Sequence, residues 1–371
     1  MRVLVTGADG FLGWHTRVRL RALTGHDVVP VTRGSWPALP ALLPTADAVI
    51  HLAGVNRGSP DVVEAGNVTL AEELADAVLR AGSPTRIVYA SSIQAGNGTP
   101  YGTGKATAGQ VLSRAAEASG AAYVDVRLPN LFGEHGRPHY NSFVATFVDA
   151  VVTGSTPTVQ DRPVGLLHAQ GAAQALLDAL ETASPGLDPE PTTTSVRGVY
   201  DTLRDFAAHY RSGNIPPLAS ALDVDLFNTL RAGLFPSHYP IALPPRADDR
   251  GRLVEVVRAH GGQGQTFVST TRPGVTRGEH FHLHKVERFA VLSGRARISL
   301  RKVLGDDVVS FDVTGEDPTA VDMPTMWAHN IENTGDTDLV TVFWTHTLFD
   351  PKAPDTYAEK VVPETREALR C

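Results

Sequence analysis

In "GEHFHLHKVERFAVLSG" (278–294), His280, His282 and His284 stand at alternate positions and Glu287 follows. Residues i and i+2 of a strand share one face, so such a run sets imidazoles side by side. Imidazoles with a carboxylate suit Zn, Fe, Mn or Ni. The plain alternative is a set of solvated histidines on an amphipathic strand. Near the other end, Tyr101 and Lys105 form YxxxK, and the i, i+4 spacing puts both on one helical face. A phenol titrates near ~10 in water. An ammonium and a positive nicotinamide nearby would lower that value and make the phenol an acid–base catalyst near neutrality. Ser92, closing the strand-like "IVYASS", is placed to hydrogen-bond a reacting carbonyl oxygen.

These groups need elements to hold them. Gly7, Gly10 and Gly13 form GxxGxxG between a strand-like "RVLVTG" and a helix-period segment. There the backbone can approach a pyrophosphate, which the helix N-terminus stabilises. A tight turn without a ligand is the alternative. Arg33 ends the second strand, where an acid would accept from a ribose 2′-OH; an arginine suits a 2′-phosphate, which favours NADP(H) over NAD. Arg33 as an ordinary surface charge stays open.

"DVVPVT", "AVIHLAG", "TRIVYASS" and "AYVDVRLP" read as further buried strands, with helices such as Thr69 to Ala81 between them. This alternation predicts a Rossmann-type, doubly wound parallel sheet. Residues 182–197 read as a Pro/Thr-rich loop and 235–251 as a Pro-rich linker. Beyond it, short alternating strands such as "RARISLR", with Ala296, Ile298 and Leu300 on one face, predict an all-β sandwich or barrel. The expected domains are 1–243 and 244–371.

The 371 residues suffice for two cores, and the net charge of −7 is dispersed, without the basic patch that nucleic acid or a membrane surface requires. Cys371 is the single cysteine, so no intrachain disulfide forms. With no signal-like N-terminus and no run of about 18 apolar residues, a cytoplasmic location is expected.

Three resemblances follow. Gly274, His280, His282, Glu287 and Gly294 have the spacing of the first cupin motif; Pro324, His329 and Asn333 match part of the second, with Met326 in place of its central glycine. That implies a cupin barrel in which His280, His282, Glu287 and His329 hold a divalent metal, expected to be Zn. His284 is off the motif, either a second-sphere base or a turn residue. "VTGADGFLG", "HLAG", "ASS", "YGTGK" and "RLPNLFG" resemble the extended short-chain dehydrogenases/reductases over residues 1 to 240. The resemblance adds Phe11, Leu12, Leu52, Ala53 and Gly54 to the cofactor-binding set of Gly7, Gly10, Gly13, Arg33, Tyr101 and Lys105. It assigns hydride-transfer chemistry to Ser92, Tyr101 and Lys105 and places Asn130 by the substrate. Two departures stand out: residues 34–47 are too short for the usual helix and third strand, and "LLHAQGAA" (166–173) replaces a Val-Asp-Asp stretch.

The two domains in this order, with "HLAGVNR", "SSIQA", "YNS" and "HNIENTGDTD", are similar to CapF-like capsular polysaccharide enzymes. The likeness implies substrate contacts at Ser92, Asn130, Tyr140 and Asn141 and a homodimer through the cupin. The implied substrate is a UDP-linked 4-keto-6-deoxy amino sugar, epimerised at C3 and then reduced at C4 with NADPH. A 4-ketoreductase whose cupin serves only for dimerisation, and an NADP-sensing regulator, are the alternatives.

Overall fold

The computed structural model describes residues 1–249 and 251–363; Cys371 lies outside the described residues. Two compact units are present: Met1–Phe143 with Asp161–Val196, and Val144–Gln160 with the chain from Arg197 on.

In the first unit run β1 (Arg2–Thr6), α1 (Phe11–Leu23), β2 (Asp27–Val31), the short α2 (Leu39–Leu42), β3 (Ala48–His51), α3 (Pro60–Ala81) and β4 (Arg86–Ser92). Next come α4 (Pro100–Ser119), β5 (Tyr123–Leu128) and β6 (Asn130–Phe132). After α5 (Phe143–Thr153), most of which belongs to the second unit, follow β7 (Pro163–His168), α6 (Ala169–Asp178), β8 (Gly186–Leu187) and β9 (Thr192–Ser195). Six strands form a parallel sheet in the order β2-β1-β3-β4-β5-β8. Alternation along β1 loads both faces: Val3 and Val5 join Leu20 of α1 and Leu176 of α6, while Leu4 joins Leu74 and Val78 of α3 and Leu112 of α4. Each such side chain contributes about 1.5–3 kcal/mol when fully buried. Residues 36–45 make only short helical turns, so β3 pairs directly with β1.

The helix expected over Thr69–Ala81 begins nine residues earlier, at Pro60. Gly66 and Asn67 hid its first half. A Cβ at Gly66 would lie 2.6 Å from Val55 Cγ2, so the helix packs close against the 52–55 loop there. The expected loop 182–197 contains β8 and β9, and β9 pairs with β7.

The second unit contains α5, α7 (Val196–Arg211), α8 (Ala221–Leu234), β10 (Ile241–Ala242) and the hairpin of β11 (Arg246–Asp248) and β12 (Gly251–Leu253). Then come β13 (Gln265–Thr271), β14 (Thr276–Phe281), β15 (Glu287–Ser293), β16 (Arg295–Lys302) and β17 (Val308–Thr314). The last are β18 (Thr319–Met323), β19 (Trp327–Asn333), β20 (Leu339–Thr345) and β21 (Tyr357–Ala358). They build two antiparallel five-stranded sheets, β10-β18-β15-β20-β13 and β17-β16-β19-β14-β21. Phe289 of one sheet and His329 of the other meet edge to face, 5.8 Å between centroids. As expected, Ala296, Ile298 and Leu300 are buried.

The division therefore differs from 1–243 and 244–371. Helices α7 and α8 group with the β-rich part because polar and aromatic contacts tie them to it. The Tyr210 hydroxyl donates to Asp322 Oδ2 at 2.6 Å, and Tyr210 packs on Phe227 at 5.0 Å. Nor is 235–251 a free linker: Tyr239, Ile241 and Leu243 are buried, and Ile241 pairs with Ala320.

Candidate active site and candidate metal centre

In the first unit the glycine turn lies against the 52–54 loop. Gly7 has φ +64°, and a Cβ there would come 2.8 Å from the Ala53 nitrogen. At Gly13 it would reach 2.2 Å from the Gly7 carbonyl oxygen, so α1 sits directly on the turn. Gly10 caps α1 without a side-chain hydrogen bond, and the first turn, which begins with Phe11 and Leu12, carries no acid. An uncapped helix start built on close glycine contacts fits a dinucleotide pyrophosphate. Arg33 is exposed in the turn after β2.

Leu52 and Ala53 donate their N–H groups to Thr6 Oγ1 at 3.1 and 3.2 Å. The Thr6 hydroxyl, 2.9 Å from His51 Nδ1, then gives its own proton to that nitrogen. Burial, followed by the charge of Lys105, pulls His51 down to about 3, so the ring is neutral. Asn67 was missed by sequence reasoning, having no motif around it. Its amide donates to the carbonyls of Val55 (2.6 Å) and Val63 (2.7 Å), and a Cβ on Gly54 would sit 2.9 Å from its Oδ1.

Ser92 ends β4, and Tyr101 and Lys105 lie on successive turns of α4, which Thr99 caps by accepting from the Gly102 N–H. Ser92 stands close enough to Tyr101 for its hydroxyl to act on the phenol. Lys105 donates to the Ala90 carbonyl at 2.9 Å, lies 4.9 Å from the Tyr89 ring centre, and is 3.5 Å from where a Gly54 Cβ would be. Burial pulls its ammonium down to about 8, against the pull of Asp125. The lowering expected for Tyr101 needs the positive charge of the nicotinamide; in the chain by itself burial dominates. Burial raises the phenol, and only the Ser92 hydroxyl acts the other way.

Of the expected substrate contacts, Asn130 donates to the Gly165 carbonyl at 3.2 Å. Tyr140 and Asn141 come together instead on the 56–57 segment. The Tyr140 hydroxyl donates to Asn56 Oδ1 (3.0 Å) and the Asn141 amide to the Asn56 carbonyl (3.2 Å). The guanidinium carbons of Arg57 and Arg137 each lie 5.3 Å from the Tyr140 ring centre. Asn56 and Arg57 stand in the quoted "HLAGVNR", so a signal for them existed; Arg137 had none. The departure at 166–173 is a buried network: His168 Nε2 lies 3.0 Å from Glu134 Oε2, and His15 Nε2 donates to the Glu134 carbonyl at 3.0 Å. Gln170 donates to His15 Nδ1 at 2.9 Å.

In the second unit, ligand atoms of His280, His282, Glu287 and His329 all lie within 4.8 Å of one another. His280 is on β14 and pairs with His329 on β19, His282 follows β14, and Glu287 opens β15 in the other sheet. The cluster therefore sits between the sheets. A bulge at 278–280, where Glu279 has φ +59°, breaks the expected simple alternation. Met326 has φ +60° and donates its N–H to the His282 carbonyl at 2.7 Å. It holds the left-handed conformation for which the cupin pattern has glycine. His284 is off the strand, with Nδ1 4.0 Å from Asp225 Oδ1 of α8.

Tautomers decide what the cluster presents. A carbonyl only accepts, so His282 Nδ1 donates to the Asp355 carbonyl (2.5 Å) and His329 Nδ1 to that of Trp327 (3.1 Å). Their Nε2 atoms lie 2.9 and 3.4 Å from Glu287 Oε2, and His329 Nε2 is buried with no hydrogen-bond partner among the described residues. Burial pulls His280 down to about 3, helped by His329 and His282, and burial likewise lowers His329. Burial pushes the Glu287 carboxyl up, but His282 and His329 outweigh it and hold it well below its ordinary value. Three imidazole rings gathered on one carboxylate fit a divalent cation.

Two family models match: the NAD dependent epimerase/dehydratase family over residues 3–191 and the polysaccharide biosynthesis C-terminal domain over 246–357. A UDP-2-acetamido-2,6-beta-L-arabino-hexul-4-ose reductase of Pseudomonas aeruginosa is 34% identical, with 96% of this chain and 98% of that protein covered. The chain is a CapF-like member of the epimerase/dehydratase family. The crystal structure of the capsular polysaccharide assembling protein CapF from Staphylococcus aureus has a TM-score of 0.60 and 32% identity, covering 97% of this chain and 100% of that one. UDP-glucose 4-epimerase of Thermotoga maritima, 18% identical, has a TM-score of 0.51 over 56% of this CapF-like chain and 83% of its own, a likeness of fold alone. Among the described residues no helix is long and apolar enough to cross a membrane.

Proposed function

We propose that the chain is a bifunctional nucleotide-sugar enzyme. Its second unit epimerises C3 of a UDP-2-acetamido-2,6-dideoxy-4-hexulose, and its first unit then reduces the C4 ketone to give UDP-2-acetamido-2,6-dideoxy-L-talose. The observation that carries this reading is the convergence of His280, His282, Glu287 and His329, in a chain that also sets Ser92 beside Tyr101. The 34% identity to a reductase of a UDP-linked hexul-4-ose supports the substrate class.

When bound, NADPH supplies the hydride and the metal, Zn on this reading, supplies Lewis acidity. The rest belongs to the side chains. Ser92 orients the C4 carbonyl through its oxygen. Tyr101 gives its phenolic proton to that oxygen as hydride reaches C4, and Lys105, held on the Ala90 carbonyl, places positive charge nearby. In the second unit His280, His282, Glu287 and His329 hold the cation. The order of steps follows from the substrate: the C3 proton is acidic only while C4 is a ketone, so epimerisation precedes reduction. A homodimer through the second unit and a cytoplasmic setting complete the reading.

The test is incubation with NADPH and UDP-4-keto-6-deoxy amino sugars in deuterated water, followed by product NMR. Deuterium at C3 together with a reduced C4 is expected. Reduction at C4 with no deuterium at C3 would leave a simple ketoreductase.

A further inference from the structure

We propose that Asp355 is a positioning residue for the candidate metal centre, setting both the tautomer and the aim of His282. The inference rests on the metal-centre reading above and concerns a residue that is not one of the four ligands.

Asp355 holds the His282 region in two ways. Its carboxylate accepts from three consecutive backbone amides: Leu283 to Oδ1 at 2.9 Å, and His284 and Lys285 to Oδ2 at 3.0 and 2.8 Å. Its own carbonyl accepts from His282 Nδ1 at 2.5 Å. Successive amides turned inward form an anion-binding concavity, and here the anion is a side chain from far along the sequence. Asp355 also has φ +44°, a left-handed conformation uncommon outside glycine.

The consequence for His282 is specific. With Nδ1–H committed to a carbonyl, Nε2 is the nitrogen left to meet a cation, and it lies 2.9 Å from Glu287 Oε2. Without that acceptor nothing holds the proton on Nδ1, and the ring can turn an N–H toward the cation position. His329 has its acceptor two residues away on its own strand, at Trp327. For His282 the acceptor comes from a segment that other contacts fasten. Glu279 Oε2 accepts from the Val361 N–H at 2.7 Å. Buried Arg301 donates to the Val361 carbonyl and to Glu359 Oε1, each at 2.7 Å. The strap thus delivers Asp355, and Asp355 fixes the turn after His282.

The test uses the full chain with Asp355→Asn, which puts an amide against the three N–H groups, and Asp355→Gly, which removes the carboxylate and relieves the left-handed φ. His282→Ala is the reference for loss of a ligand. Two readouts are taken: solvent exchange of the His282 Nδ1–H, by NMR of 15N-labelled imidazoles, and Zn²⁺ affinity by competition with a chelator. Wild type should show a protected Nδ1–H and both Asp355 variants a rapidly exchanging one, with Zn²⁺ affinity lower by about 10- to 100-fold. Unchanged exchange and unchanged affinity in both variants would overturn the proposal. If wild type itself takes up no Zn²⁺, the metal-centre reading fails, and the exchange measurement still decides whether Asp355 holds the ring.

Discussion

Arg288 and Asp322 meet as a two-point ion pair, Nε to Oδ1 at 2.6 Å and Nη2 to Oδ2 at 2.9 Å, with both side chains excluded from solvent. Arg288 follows the candidate ligand Glu287 on β15, and Asp322 on β18 also accepts from Tyr210 of α7. The pair joins a helix to the strand that carries a ligand. Removing one partner leaves the other charge buried and unpaired. Asp322→Ala should lower unfolding stability by about 3–5 kcal/mol, and a double replacement by apolar residues of similar volume should lower it less. Urea unfolding of the three proteins measures this.

Tyr101→Phe removes the proton donor while leaving the glycine turn intact. Ketone reduction should fall by about 10²–10⁴-fold. Binding of NADPH, followed by its fluorescence, should persist, and an epimerised ketone should accumulate. Retention of full reduction would exclude Tyr101 from the acid role.

His51 predicts a pH effect. Its folded value is near 3, well below the ordinary 6.5. Between those values the unfolded chain binds a proton that the folded ring refuses, so stability falls as pH drops from 6.5 toward 3. From pH 7 to pH 5 the loss from this group is about 2 kcal/mol. Denaturant titrations of wild type and His51→Gln at both pH values should show the smaller loss in the variant.

Chelation should stop C3 exchange and leave NADPH binding to the first unit unchanged, and added Zn²⁺ should restore exchange. His329→Ala should behave as the chelated protein does, without restoration. Solvent deuterium incorporation into the ketone, read by NMR, reports both. Exchange that survives chelation would remove the metal from the epimerisation step.

How far the sequence reaches differs from residue to residue. The cluster of His280, His282 and Glu287 was legible because its members lie within eight positions of one another, and motif spacing extended it to His329. Tyr101, Lys105 and Ser92 were legible for the same reason: helical and strand periods place neighbours in sequence on one face. Arg33 was legible as a charge at the end of β2. The first half of α3 was not, because Gly66 and Asn67 lower local helix propensity while serving a contact with residue 55. The burial that raises the Tyr101 phenol was not legible, since YxxxK does not show it.

The sequence by itself determined the local chemistry: the glycine turn, the Ser92–Tyr101–Lys105 set, the alternating histidines and the strand periods around them. Those features rest on short-range geometry, which a few consecutive residues specify. Only the tertiary structure decided that Glu134, His168, His15 and Gln170 share one buried network, or that α7 and α8 group with the sheets. It alone brought Asp355 to His282. Such contacts join positions tens to more than a hundred residues apart, and no periodicity records them. They arise because buried polar groups must find partners wherever the packed chain brings one within reach.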